Sequence, residues 1–93
     1  MAETSTGKPY KQIHLKEYIL REFDESVDES ELIWHRDKKD RTIRVKGGQG
    51  WQLQLDNELP KDLVIGEQYI IPKEEYHRVI KGDDNLVLEI YET

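Results

Sequence analysis

In three runs between residue 41 and the C-terminus, side chains alternate between two faces with a period of two. Ile43 and Val45 oppose Thr42 and Arg44; Trp51, Leu53 and Leu55 oppose Gln52 and Gln54; Leu86, Leu88 and Ile90 oppose Val87 and Glu89. Successive side chains of a strand point to opposite faces, so each run predicts a strand with one buried face. With the β-favouring stretches at 32–35, 68–71 and 77–80, six short strands are expected at 32–35, 41–45, 51–55, 68–71, 77–80 and 86–91. Turns are expected at 47–50, 57–62 and 82–85, where Gly, Pro, Asn and Asp gather. The N-terminal part is mixed. Ile13 and Leu15 alternate as in a strand, whereas Leu15, Tyr18, Ile19 and Phe23 share a helical face, which predicts a short strand leading into a helical turn over 10–23.

Residues 1–9 are small and polar and read as a flexible tail, and residues 24–30, acidic and serine-rich, read as a solvated loop. That loop has no glycine for the sharp turn of a calcium-binding loop. The expectation is one all-β domain over 10–93, an antiparallel sandwich or closed barrel.

Composition narrows the partners. A chain of 93 residues, 35% hydrophobic and 37% charged with mean hydropathy −0.86, has a thin core to which a ligand or a second copy would add stability. A homodimer formed through barrel edges or one sheet face is expected. The formal charge of −6 repels phosphate backbones, so nucleic acid is not an expected partner. No apolar run approaches the roughly 20 residues of a membrane helix, and the start lacks a signal peptide's apolar stretch, so no membrane partner and a cytoplasmic location are expected. Without cysteine there are neither disulfides nor thiolate metal ligands.

The chemistry gathers in Trp34-His35-Arg36-Asp37, in Gly47-Gly48-Gln49-Gly50 and in Gly66-x5-Pro72-x-Glu74-x2-His77. Each places polar groups at a strand end beside Gly or Pro turns, as a small barrel does when it directs side chains inward. Residues 35–77 resemble the two motifs of the cupin superfamily. Gly66, Pro72 and His77 match the second motif, Gly-x5-Pro-x-Gly-x2-His, with Glu74 in place of its middle glycine. The first motif, His-x-His followed by Glu and then Gly, is matched in part: His35-x-Asp37, with Arg41 at the glutamate position and Asp40 offering a second register. The resemblance implies a double-stranded β-helix, a cupin-like jelly-roll barrel, here with a short N-terminal strand and helical turn. It covers about half of the chain closely.

Carried over position by position, the resemblance implies His35, Asp37 and His77 as metal ligands, with Arg41 in place of a fourth. Two imidazoles and a carboxylate suit non-haem Fe(II), and Mn, Ni or Zn could occupy the same set. The set also resembles the triad of Fe(II)-dependent dioxygenases, but neither Arg78 nor Lys81 has the spacing of their 2-oxoglutarate-binding cation. If Arg41 points inward with Ile43 and Val45, it competes with a divalent ion for Asp37, and an Arg41 pair with Asp37 or Asp40 would make a metal-free site. Both readings stand at this point.

The expected binding pocket comprises His35, Asp37, Arg41, Gln54 and His77, although Leu53 and Leu55 compete with Gln54 for the inward face. His14 is expected at the surface. Trp34, Trp51 and Tyr76 are expected in the core or a subunit contact rather than as ligand-stacking platforms. The glycine run lacks the lysine of a phosphate loop and predicts a tight turn with positive φ. Ser5, Ser26 and Ser30 lie in the tail and the acidic loop, without a positioned histidine, so no catalytic triad is expected. No catalytic residue is assigned; Glu74 or Asp40 would be the acid or base at the rim of an enzyme. Three functions follow in order: a binder of a small polar molecule, acting through a divalent metal or without one; a metal-dependent oxygenase or isomerase; and a non-catalytic oligomeric structural or regulatory module.

Overall fold

The computed structural model of the chain describes residues 8–93, so all but the last two positions of the expected tail lie outside the described residues. The strands are β1 (Tyr10–His14), β2 (Ile19–Phe23), β3 (Arg41–Gly47), β4 (Gln52–Leu55), β5 (Lys61–Asp62), β6 (Gln68–Ile71), β7 (His77–Ile80) and β8 (Leu86–Glu92). They form a five-stranded sheet in the order β1-β2-β8-β3-β6 and a three-stranded sheet in the order β5-β4-β7, and every pairing is antiparallel.

The alternation decides which way each strand faces. Ile43 and Val45 of β3, Leu53 and Leu55 of β4, and Leu86, Leu88 and Ile90 of β8 are all buried. These rows meet around Trp51, which is fully buried and whose indole N–H donates to the Asp84 carbonyl at 2.6 Å. Each buried aliphatic or aromatic side chain contributes about 1.5–3 kcal/mol relative to exposure, so this row, rather than any surface ion pair, holds the sheets together. Gly48 (φ 113°) and Gly50 (φ 82°) carry the β3–β4 turn in the left-handed region expected of the glycine run.

Three segments differ from the sequence reading. The helical turn expected before Phe23 is strand β2, flanked by β1 and β8. A single helical turn is costly to nucleate, whereas a strand between two neighbours satisfies its backbone on both sides. Over 32–35 only His35 pairs, in an isolated antiparallel bridge to His77. The preceding 3₁₀ turn, Glu29–Glu31, takes up the Leu32 N–H through the Glu29 carbonyl at 3.0 Å. The expected turn at 57–62 ends in the two-residue strand β5, which pairs with Gln52 and Leu53. The acidic loop is exposed as expected; Asp24 accepts from the Ser26 N–H and Asp28 from the Ser30 N–H. Among the described residues, no helix is long and apolar enough to cross a membrane.

A candidate metal centre

His35, Asp37, Arg41 and His77 line one cavity of about 510 Å³ between the sheets. Gln54, expected with them, does not. Leu53 and Leu55 take the inward row, and Gln54 lies on the outer face, donating to the Glu58 carbonyl and accepting from Arg78 Nε, both at 3.0 Å. His14 is exposed, as expected. Of the three large aromatics expected to pack, Trp51 is core, while Trp34 and Tyr76 are 41% and 45% exposed. An arginine lies over each of those two rings, Arg78 over Trp34 and Arg36 over Tyr76.

Both histidines are oriented by their own backbone. His35 Nδ1 donates to the Ile33 carbonyl at 3.0 Å and His77 Nδ1 donates to the Glu75 carbonyl at 2.8 Å. A carbonyl only accepts, so in each ring the proton sits on Nδ1 and a neutral ring keeps its lone pair on Nε2. Such a bond to the non-coordinating nitrogen is the arrangement that orients imidazole ligands on metals.

Asp37 sits between the imidazoles and Arg41. Its Oδ2 is 3.2 Å from His77 Nε2 and 3.2 Å from Arg41 Nη1, yet it is buried with no partner in hydrogen-bond geometry. A buried carboxylate oxygen in that state is costly unless a cation completes its surroundings. The opposed Nε2 lone pair and carboxylate oxygen require a proton or a metal ion between them. Burial acts to raise the Asp37 pKa, but the close His77 ring, then Arg41, outweigh it and hold the carboxyl below its ordinary value. Burial lowers the pKa of His35, opposed by the hydrogen bond to the Ile33 carbonyl and by Asp37 and helped by the neighbouring His77 ring and Arg41. An ionised carboxylate and a neutral imidazole are the states a metal ligand needs.

The metal-ligating atoms of His35, Asp37 and His77 all lie within 4.8 Å of one another. Donors bound at about 2.0–2.2 Å sit roughly 3–3.5 Å apart, so modest side-chain shifts would close the set on a divalent ion. The residues present fit such an ion.

Arg41 faces inward at the head of β3, as its place in the Ile43 and Val45 row requires. Its tighter partner was not foreseen. Glu92 lies directly opposite it on β8, and Glu92 Oε2 takes both Arg41 Nε and Nη2 at 2.8 Å. Arg41 is thus neutralised mainly by Glu92, which leaves Asp37 partly available. Asp40, the alternative partner, instead accepts from the Lys73 N–H at 2.8 Å. The turn after β6 also fixes Asp37 itself, because the Glu74 N–H donates to the Asp37 carbonyl at 2.7 Å.

Arg21 was also missed. It lies on the inward row of β2 between Ile19 and Phe23, 8% exposed, and lines the same cavity. The alternation Ile19-x-Arg21-x-Phe23 carries the signal once the segment is read as a strand.

No protein-family model matches the chain, and no curated protein sequence does. Solved structures do match. KdgF from Halomonas sp. superposes with a TM-score of 0.68 at 19% identity, over 98% of this chain and 84% of that one. A cupin-2 domain-containing protein from Shewanella frigidimarina gives 0.64 at 21% identity, over 90% and 79%. An Fe(II)-bound HppE structure with the alternative substrate (S)-1-HPP gives 0.61 at 13% identity, over 90% of this chain and 48% of that one. The chain has the cupin fold, the jelly roll that its two motifs imply.

Proposed function

We propose that this chain binds a divalent transition ion through His35, Asp37 and His77 and holds a small polar molecule beside it in the barrel. The observation that carries this reading is the buried Asp37 Oδ2, without a hydrogen bond and facing an imidazole whose other nitrogen is already committed to a carbonyl. The match to a structure described as Fe(II)-bound supports the compatibility of this fold with such an ion. Fe, Mn, Ni and Zn all suit two imidazoles and a carboxylate. When bound, the ion supplies a Lewis acid with coordination positions open to the cavity.

Binding ranks above catalysis in this reading because the two rim candidates for acid–base work are engaged elsewhere. Asp40 caps the Lys73 N–H, and Glu74 pairs with Arg36 at 3.4 Å. An oxygenase or isomerase would therefore depend on the ion and its ligands for its chemistry. The Arg41–Asp37 ion pair favours a second reading, in which a proton shared by Asp37 and His77 replaces the metal.

Elemental analysis separates the two. The chain loaded anaerobically with Fe(II), Mn(II), Ni(II) or Zn(II) and then gel-filtered should retain one ion per chain. Retention of none of the four leaves the proton-bridged reading.

A further inference from the structure

Among the described residues, Arg21 is a buried cation without an anionic partner. Its Nε donates to Gln12 Oε1 at 2.9 Å and its guanidinium lies over the Tyr10 ring, 3.8 Å from the centroid. Among the described residues no carboxylate reaches it at ion-pair distance, and its two terminal nitrogens have no hydrogen-bond partner. Burial pulls its pKa below the ordinary arginine value, with Tyr10 opposing and the Arg41 charge adding to the effect. A guanidinium does not deprotonate in a protein, so the cost of burying its charge persists until an anion approaches.

The cavity's charges agree. It is lined by three cations, Lys8, Arg21 and Arg41, and three carboxylates, Glu31, Asp37 and Glu92. These balance without a metal, so a divalent ion on Asp37 and the histidines would leave an excess of two positive charges. The remaining wall is largely apolar, with Ile19, Phe23, Leu53, Leu88 and Ile90 among its residues. A ligand suited to this space has an anionic head and an apolar body. A planar carboxylate matches the fork of the two free guanidinium nitrogens.

We propose that Arg21 anchors the carboxylate of a small, largely apolar organic acid held in the cavity beside the metal centre. Gln12 and Tyr10 are positioning residues that hold the guanidinium in place. The inference rests on the proposed ligand cavity and names the class of its occupant. The chain's overall charge of −6 opposes anions at long range, so recognition is local and should weaken little with added salt.

The test titrates the ¹⁵N-labelled full chain, with and without zinc, against benzoate, its neutral isostere benzamide, and inorganic phosphate. Benzoate should shift the Arg21 Nε–H resonance, and benzamide should bind at least about tenfold more weakly. Arg21→Met should lose at least as much affinity for benzoate while keeping a dispersed spectrum and its zinc. If Arg21→Met does not fold, the benzoate-to-benzamide comparison and the Nε–H shift in the natural chain still decide. Equal binding of benzoate and benzamide, an unmoved Arg21 resonance at millimolar benzoate, or unchanged affinity in folded Arg21→Met overturns the proposal. Binding of phosphate without benzoate overturns it too, in favour of an inorganic-anion site. Failure of the chain to take up zinc counts against the metal centre alone, because the benzoate comparison on the metal-free chain still tests Arg21.

Discussion

His35 and His77, far apart along the chain, exchange two backbone hydrogen bonds, His35 N–H to the His77 carbonyl at 3.0 Å and the reverse at 2.8 Å. Residues directly opposite in an antiparallel bridge point to the same face, so this one pair sets the imidazoles side by side, with ring centroids 4.3 Å apart. The candidate metal centre is therefore built on backbone pairing, and Asp37 is added by the loop that follows His35.

Removing a ligand should remove the metal and leave the fold. Asp37→Ala and His77→Ala are each expected to abolish retention of a stoichiometric divalent ion, measured by elemental analysis after gel filtration. Far-ultraviolet circular dichroism should still show the β-sheet. His77→Ala should also cost about 1–3 kcal/mol in denaturant unfolding, since it empties a buried site and frees the Glu75 carbonyl.

Arg41 and Glu92 should act in opposite directions on metal affinity. Arg41→Met removes a cation that shares Asp37, so affinity in a chelator competition should rise about tenfold. Glu92→Gln removes the carboxylate that takes most of Arg41, turning the guanidinium toward Asp37, and affinity should fall by a similar factor. An Arg41→Met protein that binds no better than the natural chain would show that Arg41 does not compete for the site.

Stability of the metal-free protein should decline as pH falls, in two steps. The His35 pKa is lowered in the fold, so the unfolded chain takes up that proton first, and stability drops as pH falls below about 6.5. Asp37 is also lowered; its contribution is fully present above the unfolded value of about 3.9 and is lost as pH falls through the folded value. Urea midpoints measured from neutral to acid pH should show both declines, and His35→Asn should remove the first.

Glu74 occupies the position of the motif's middle glycine and adopts that residue's conformation, φ 62°. A side chain in the left-handed region costs roughly 1–2 kcal/mol, and glycine adds backbone entropy to the unfolded chain. Glu74→Gly should therefore stabilise by about 0.5–1 kcal/mol in denaturant unfolding, keep the bond from residue 74 to the Asp37 carbonyl, and leave metal stoichiometry unchanged. A loss of stability would mean that the Arg36–Glu74 pair outweighs the backbone strain.

Gly82→Ala should damage the core from the outside. A Cβ at Gly82 would lie 2.5 Å from both the backbone N and Cδ1 of Trp51, and would also press on the Gln49 carbonyl. Trp51 is fully buried and cannot yield, so a cost of about 1–3 kcal/mol is expected, followed by tryptophan fluorescence in urea.

What the sequence determined by itself is local. Side-chain direction along a strand alternates whatever the strand pairs with, so Ile43, Val45, Leu53, Leu88 and Ile90 could be placed inward without a partner in view. The resemblance of the two motifs to a known family implied His35, Asp37 and His77 as one set, but what sets the two histidines side by side is the backbone bridge between them, a long-range contact. Tertiary structure decided the rest. The 10–23 segment satisfies helical and strand patterns alike, and it became β2 because β8 offered it a row of unpaired backbone groups. That choice turned Arg21 into the cavity. Glu92 reached Arg41 through the register of β3 against β8, and a shift of one residue would have sent its side chain to the other face. Register and pairing are fixed by burial across the whole barrel, so the division of charge among Asp37, Arg41 and Glu92 was settled between strands rather than along the chain.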